Sequence, residues 1–272
     1  DIYPNKFNPF LFFFPILFLI LNGLFLISIS GKKWIIKDSE SYKDNLKTIT
    51  IALWIALLIR SLILQPFFIP SASMEPGLMN GDRIFATKYD VGYSRHSFPL
   101  SINILEGRIF FNQLKRGDVV IFKPPGIQHD YIKRLVGLPG EKIKLVDGQI
   151  YINSKPIKIE FTTDDDNGSK IYKETTFNGV SYEIRDIGKT PQDNTIMFCK
   201  CEEFTIPENY YFFMGDNRDN SRDSRFFGPV SQDRIVAKPK IIFFATKDGS
   251  SFIKFWRWPF DIQFERLFKF IK

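Results

Sequence analysis

The chain has 272 residues, 44% hydrophobic and 25% charged, with 37 basic and 30 acidic side chains and a formal charge of +7. That much charge excludes a carrier built only of membrane helices, and that much apolar content excludes wholesale disorder. Two cysteines are too few for a disulfide framework or a four-thiolate zinc site, and two histidines leave little room for a His-rich metal centre.

In chain order, the first predicted element is the apolar run Phe10–Ile29, interrupted only by Pro15, Asn22, Gly23 and Ser28. About 20 such residues at ~1.5 Å rise cover the ~30 Å hydrocarbon core of a bilayer. The alternative is a cleaved secretory signal, with Ser28-Ile29-Ser30 as small residues at a cut site. Against it, the run is long and the basic cluster follows it rather than precedes it. The chain starts at Asp1, not Met, which leaves the native start open. A second membrane helix is predicted from Thr48 to about Leu64, with Arg60 near its end, where the long stem can carry the guanidinium to the interface. Between them, 31–47 carries Lys32, Lys33, Lys37, Lys43 and Lys47 against Asp38, Glu40 and Asp44. Basic residues in short loops stay cytoplasmic, which places both chain ends and everything after residue 66 outside. The expected organisation is 1–30 and 48–66 as membrane helices with their flanks and 31–47 as a cytoplasmic loop. Residues 67–140 and 207–272 form an outer domain, and 141–206 an inserted subdomain. A lipid partner accounts for the +7 better than nucleic acid does.

The outer region reads as short strands: Arg83–Tyr89, Asp118–Lys123, Tyr131–Val136, Lys142–Val146, Gln149–Asn153, Tyr210–Met214 and Lys240–Thr246. Asn80-Gly81, Asp147-Gly148, Asn178-Gly179 and Asp248-Gly249 are turn dipeptides, and the hairpin around Asp147-Gly148 is the cleanest. The fold class is mainly β, an antiparallel sheet with an inserted β subdomain behind two N-terminal membrane helices. Residues 161–204 are polar and weakly periodic and predict long loops, and Tyr93–Phe110 suggests a protruding β-ribbon. The last segment, Ile262–Lys272, puts Phe264, Leu267, Phe268 and Ile271 on one helical face. With Trp256 and Trp258 nearby, that helix has two readings, resting on lipid or packing on the β core.

Three clusters carry chemistry. Pro70-Ser71-Ala72-Ser73-Met74-Glu75-Pro76 follows the second apolar run closely; its plain reading is a polar exit loop, its functional one a nucleophile. Tyr131–Gly140 is a strand in which Lys133 is embedded among apolar neighbours. A free lysine, pKa ~10.4, is protonated at pH 7, but desolvation can lower that value by several units. A snorkelling surface lysine is the plain alternative. Gly215–Arg225 alternates carboxylates, amides and arginines. A calcium loop would need Gly at its sixth position and Glu at its twelfth, where Ser224 and Val230 stand, so a dense hydrogen-bonding turn fits better. A serine needs a base. His96 and His129 sit in no triad pattern, whereas Ser71-x-Ser73 followed by a strand lysine suits a serine–lysine dyad.

At these residues the chain resembles bacterial type I signal peptidase. The resemblance rests on Phe67–Pro76, Gly81–Ile84, Arg116–Phe122, Lys133–Gly140 and Gly215–Ser221 with Asp223–Arg225, in that order after a membrane anchor. It implies a membrane-bound serine endopeptidase cutting signal peptides from preproteins on the outer face of the bacterial inner membrane, without cofactor, metal or nucleic acid. Ser73 would be the nucleophile and Lys133 the general base. Ser71 and the Ser73 N–H would form the oxyanion hole. Ser221 would hold the lysine amine, and Asp223, Arg225 and Arg134 would brace the site. Phe67, Ile69, Pro70 and Ile132 would receive the substrate. Two other readings stay open: a narrow-substrate Ser/Lys maturation peptidase, and a non-catalytic membrane-anchored β-domain. Residues 161–204 show no motif of the family, and Cys199 and Cys201 have no assigned role.

Overall fold

The structure, a computed structural model, describes residues 22–23, 40–97, 107–127, 129–165, 168–187, 195–247, 256 and 258–271. Residues 3–63 and 64–272 are separate compact units.

In the first unit, α1 (Glu40–Leu62) covers the expected second span but starts at Glu40 rather than Thr48. The charged stretch read as loop is therefore helical from Glu40 on. Lys and Glu are good helix formers, so charge marks where an apolar run stops but does not mark where a helix stops. Ile49, Ile51, Ile55, Leu58, Ile59 and Leu62 along α1 are all exposed. Among the described residues, no helix is long and apolar enough to cross a membrane. The expected span Phe10–Ile29 lies outside the described residues except Asn22 and Gly23.

The second unit is β-rich. β1 (Leu64–Phe68) and β2 (Asp82–Thr87) flank the serine turn, and β3 (Tyr93–Ser94) pairs with β4 (Arg108–Ile109). β5 (Val119–Phe122) and β6 (Tyr131–Gly137) follow. Next come β7 (Lys142–Val146), β8 (Gln149–Ile152) and β9 (Lys155–Pro156), then β10 (Lys158–Asp164), β11 (Lys170–Thr175) and β12 (Ser181–Asp186). The last strands are β13 (Glu203–Thr205), β14 (Tyr210–Met214), β15 (Val230–Ser231) and β16 (Ile235–Ala245). The main sheet has the order β1-β2-β16-β5-β6-β14-β15, with its pairs antiparallel.

β6 occupies an interior position of this sheet, and all seven of its residues are buried. Tyr131 and Leu135 pack with Val120, Phe122 and Phe213. Ile132 packs with Ile69, Met74 and Ile121 in a second cluster, and Val136 with Phe212 and Met214 in a third. Each large apolar side chain removed from water contributes roughly 1.5–3 kcal/mol, so the strand that carries Lys133 and Arg134 is held in place from both faces.

Residues 142–205 supply two further sheets, β13-β7-β8-β9 and β10-β11-β12. The β7–β8 hairpin turns at Asp147 (φ 50°) and Gly148 (φ 77°), the two left-handed positions that a type I′ turn requires. The stretch 161–204, expected to form long loops, holds β11 and β12 with the ends of β10 and β13, while its described residues 195–202 carry only an isolated bridge between Ile196 and Cys201. β10 is exposed along most of its length, so it lacks the apolar alternation that betrays a half-buried strand. Cys199 and Cys201 are joined in a disulfide.

The predicted C-terminal helix is absent. Trp258–Asp261 makes one short helical turn, Phe264–Arg266 is 3-10, and Ile262 and Phe270 form β-bridges to Thr246 and Ile241. Phe264 and Phe268 are exposed, and only Ile271 of the four packs on the core. The segment is instead hydrogen-bonded along β16, the Phe268 N–H donating to the Ile242 carbonyl and the Ile271 N–H to the Lys240 carbonyl.

Candidate active site

Ser73 sits in the turn between β1 and β2, and Lys133 at the middle of β6. Both are buried, and Lys133 Nζ lies 2.5 Å from Ser73 Oγ. Ser71 Oγ is 3.3 Å from Ser73 Oγ. Lys133 pairs across the ladder with Val120 and stands 5.6 Å from the Tyr131 ring centroid. Burial pushes its pKa down, against the pull of Asp223 and Asp216 and with help from Arg225, to about 8.

The 215–225 segment holds the serine turn from the other side. The Asn217 N–H donates to the Ser73 carbonyl (3.2 Å) and its side-chain amide to the Ala72 carbonyl (3.1 Å). A Cβ on Gly215 would collide with the Ser73 carbonyl oxygen and with Ser221 Oγ, so only glycine admits this approach. Asp223 accepts from the Gly215 N–H (3.0 Å) and from the Arg225 N–H and guanidinium, and caps a short helix, α2 (Ser224–Phe227). Burial raises the Asp223 pKa, but Arg225 and these donors outweigh it and hold the carboxyl below its usual value.

Arg134, the next residue along β6, is also buried. Its guanidinium makes two 2.7 Å bonds to the Asp216 carboxylate and one to the Gly117 carbonyl. Burial opposes its charge, yet Asp216 prevails and its pKa is raised. The guanidinium lies 3.9 Å from the Tyr182 ring centroid, the Tyr182 hydroxyl donates to Glu174, and Glu174 pairs with Arg218 at 2.7 Å. Arg185 of β12 pairs with Glu75, two residues beyond Ser73, at 2.5 Å.

The structure thus brings together Ser71, Ser73 and Lys133, with Arg134, Asp223 and Arg225 around them. Phe67, Ile69, Pro70 and Ile132 line one cleft with Phe68, Ile121, Asp130 and Tyr131, and Ser71, Ser73 and Lys133 open onto it. Neither His96 nor His129 lines that cleft. Ser221 departs from expectation: its hydroxyl is buried against Gly215 and makes no hydrogen bond, to Lys133 or otherwise. Ile69 lines the cleft with its side chain while its own N–H and C=O are bonded to Asp82 and Gly81. Sequence reasoning gave no role to Glu75, Glu174, Tyr182 or Arg185. The last three lie in strands whose polar residues carried no motif, and their partners are far away in the chain.

Comparison with known proteins adds to this geometry. The family model described as "Signal peptidase, peptidase S26" matches residues 42–244. A protein named Signal peptidase I from Rickettsia prowazekii (strain Madrid E) is 41% identical over 226 residues, 78% of this chain and 84% of the relative. One of the same name from Rickettsia bellii (strain OSU 85-389) is 38% identical over 253 residues, 85% of this chain and 86% of the relative. The crystal structure of a signal peptidase I from Enterococcus faecalis V583 aligns at 27% identity and a TM-score of 0.30, over 47% of this chain and 97% of that one.

Proposed function

The chain belongs to the signal peptidase family, peptidase S26, and we propose from that membership and the site geometry that it is a serine endopeptidase cutting signal peptides from preproteins. The observation that carries the reading is the buried approach of Lys133 Nζ to Ser73 Oγ on a mostly apolar cleft. A lysine held at about 8 has a useful neutral fraction near neutral pH. Neutral Lys133 takes the Ser73 proton as the hydroxyl attacks the scissile carbonyl. The ammonium then gives that proton to the leaving amine, and the regenerated amine activates the water that cleaves the acyl-enzyme. The Ser71 hydroxyl and the Ser73 N–H receive the oxyanion; losing one such donor costs roughly 3–4 kcal/mol.

The substrate enters as an extended strand. β1 is the terminal strand of the main sheet, paired on one side only within it, so a peptide can add to its free edge. Because Ile69 spends its backbone groups on Asp82 and Gly81, alternation leaves the Phe68 N–H and C=O and the Pro70 C=O for the peptide. Phe67, Ile69 and Ile132 then form shallow apolar pockets. Arg134, Asp223 and Arg225 brace the site.

We place the enzyme in the bacterial inner membrane, with this unit on the outer face. The apolar run Phe10–Ile29, the exposed apolar residues of α1 and the basic 31–47 stretch support that reading. A preprotein is itself held in the bilayer by its signal helix, and confining both raises their effective concentration. Incubating the purified full chain with an exported precursor and sequencing the product's new N-terminus tests the proposal. A single cut behind the signal helix, lost in Ser73→Ala, is expected; no cut, or a cut that survives Ser73→Ala, refutes it.

A further inference from the structure

We infer that Arg185, on the inserted three-stranded sheet, is a positioning residue that fixes the nucleophile turn by pairing with Glu75. This rests on Ser73 acting as proposed above. Arg185 reaches the site in two ways. Its guanidinium pairs with Glu75 at 2.5 Å and with Asp165 at 3.1 Å. Its backbone clips β12 onto the loop that carries Asn217: the Arg185 N–H donates to the Asp216 carbonyl and the Arg218 N–H donates to the Arg185 carbonyl, both at 2.8 Å. Asn217 in turn holds the carbonyls of Ala72 and Ser73. One residue of the inserted sheet therefore grips the serine turn directly through Glu75 and indirectly through Asn217.

The physical reason such a grip is needed lies in the turn itself. Ser73 belongs to a segment between two strands, with no ladder of its own, and its Oγ must meet an amine that is fixed on a fully buried strand. A misplacement of about 1 Å costs roughly 10²-fold in rate. The Glu75 and Arg185 side chains are both largely shielded from solvent, so their attraction is weakly screened. Asp165 adds a second carboxylate that keeps the guanidinium aimed. Neither Arg185 nor Glu75 lines the substrate cleft, so removing the pair leaves substrate contacts intact.

The test is a double-mutant cycle of Glu75→Gln and Arg185→Gln in the full chain, with kcat and KM measured on a precursor-derived peptide and each variant checked by thermal unfolding. Arg185→Lys and Ser73→Ala complete the set. Expected is a fall in kcat of about 10- to 100-fold in each single variant with KM within about twofold. The double variant should be no worse than the weaker single one, and Arg185→Lys should recover most of the loss. Should Arg185→Gln not fold, Glu75→Gln alone carries the reading, since it removes the same pair and leaves Asp165 to hold the arginine. Wild-type kcat in Glu75→Gln, or losses that multiply in the double variant, overturns the positioning role while the protease reading stands. Turnover that persists in Ser73→Ala overturns the protease reading itself, whatever the other variants do.

Discussion

Lys133 and Arg134 are neighbours on one buried strand, yet their surroundings push them in opposite directions. Arg134 meets a carboxylate in bidentate contact, an aromatic face and a carbonyl, and its charge is favoured. Lys133 meets a hydroxyl and apolar walls; its nearby carboxylate Asp223 is already committed to Arg225, and its charge is disfavoured. Equal burial thus leaves the charge favoured at Arg134 and disfavoured at Lys133. What decides is whether a counter-charge is allowed to touch the group.

The largest effect that can break this contrast is chemical. Lys133→Met and Ser73→Ala should each lower kcat/KM by at least about 10⁴-fold in a folded protein, because the two act as one unit. Substantial turnover in either would mean that the contact carries no chemistry. On the brace side, Asp216→Ala leaves the Arg134 guanidinium buried without its partner, and should destabilise the fold by about 3–5 kcal/mol in denaturant titration. A small loss would show the ion pair to be dispensable.

Next in size is a stability prediction of opposite sign. The folded pKa of Lys133, about 8, lies below its unfolded value, so the native state binds fewer protons than the unfolded one between about 8 and 10.5. Stability rises with pH through that window, and the penalty is fully present below it. Lys133→Met should therefore stabilise the protein by up to about 3 kcal/mol at pH 7 and much less near pH 10.5, as read by urea unfolding at both values. The smallest effect concerns tuning. Asp223 holds the Lys133 pKa up, so Asp223→Asn should move the acid limb of kcat/KM to lower pH, and an upward move would contradict the assignment.

How much of this contrast could be read beforehand varies with distance along the chain. β6 was legible because Tyr131, Ile132, Leu135 and Val136 flank Lys133 and Arg134 ahead of the Pro139-Gly140 turn signal, and the serine and 215–225 clusters because they pack chemistry into a few consecutive residues. The first half of β16 was missed, since Pro239 lies within it and irregular register accompanies that strand. The C-terminal helix was misread because Phe264, Leu267, Phe268 and Ile271 carry helical spacing, while the chain makes one three-residue 3-10 turn between bridges to Thr246 and Ile241. Glu75 and Arg185 are 110 positions apart, and Arg134 and Asp216 are 82 apart. Local pattern contains no information on such pairs, so the inserted sheet looked like polar loop when it in fact supplies Tyr182, Glu174 and Arg185 to the site.

The contrast comes down to the proton on one amine. Selective isotope labelling of lysine, with the Lys133 resonance assigned by its loss in Lys133→Met, lets that amine be titrated directly by NMR in the folded protein. A midpoint near 8 is expected. A midpoint near the ordinary value of ~10.4 would leave the serine without a base at neutral pH and contradict it.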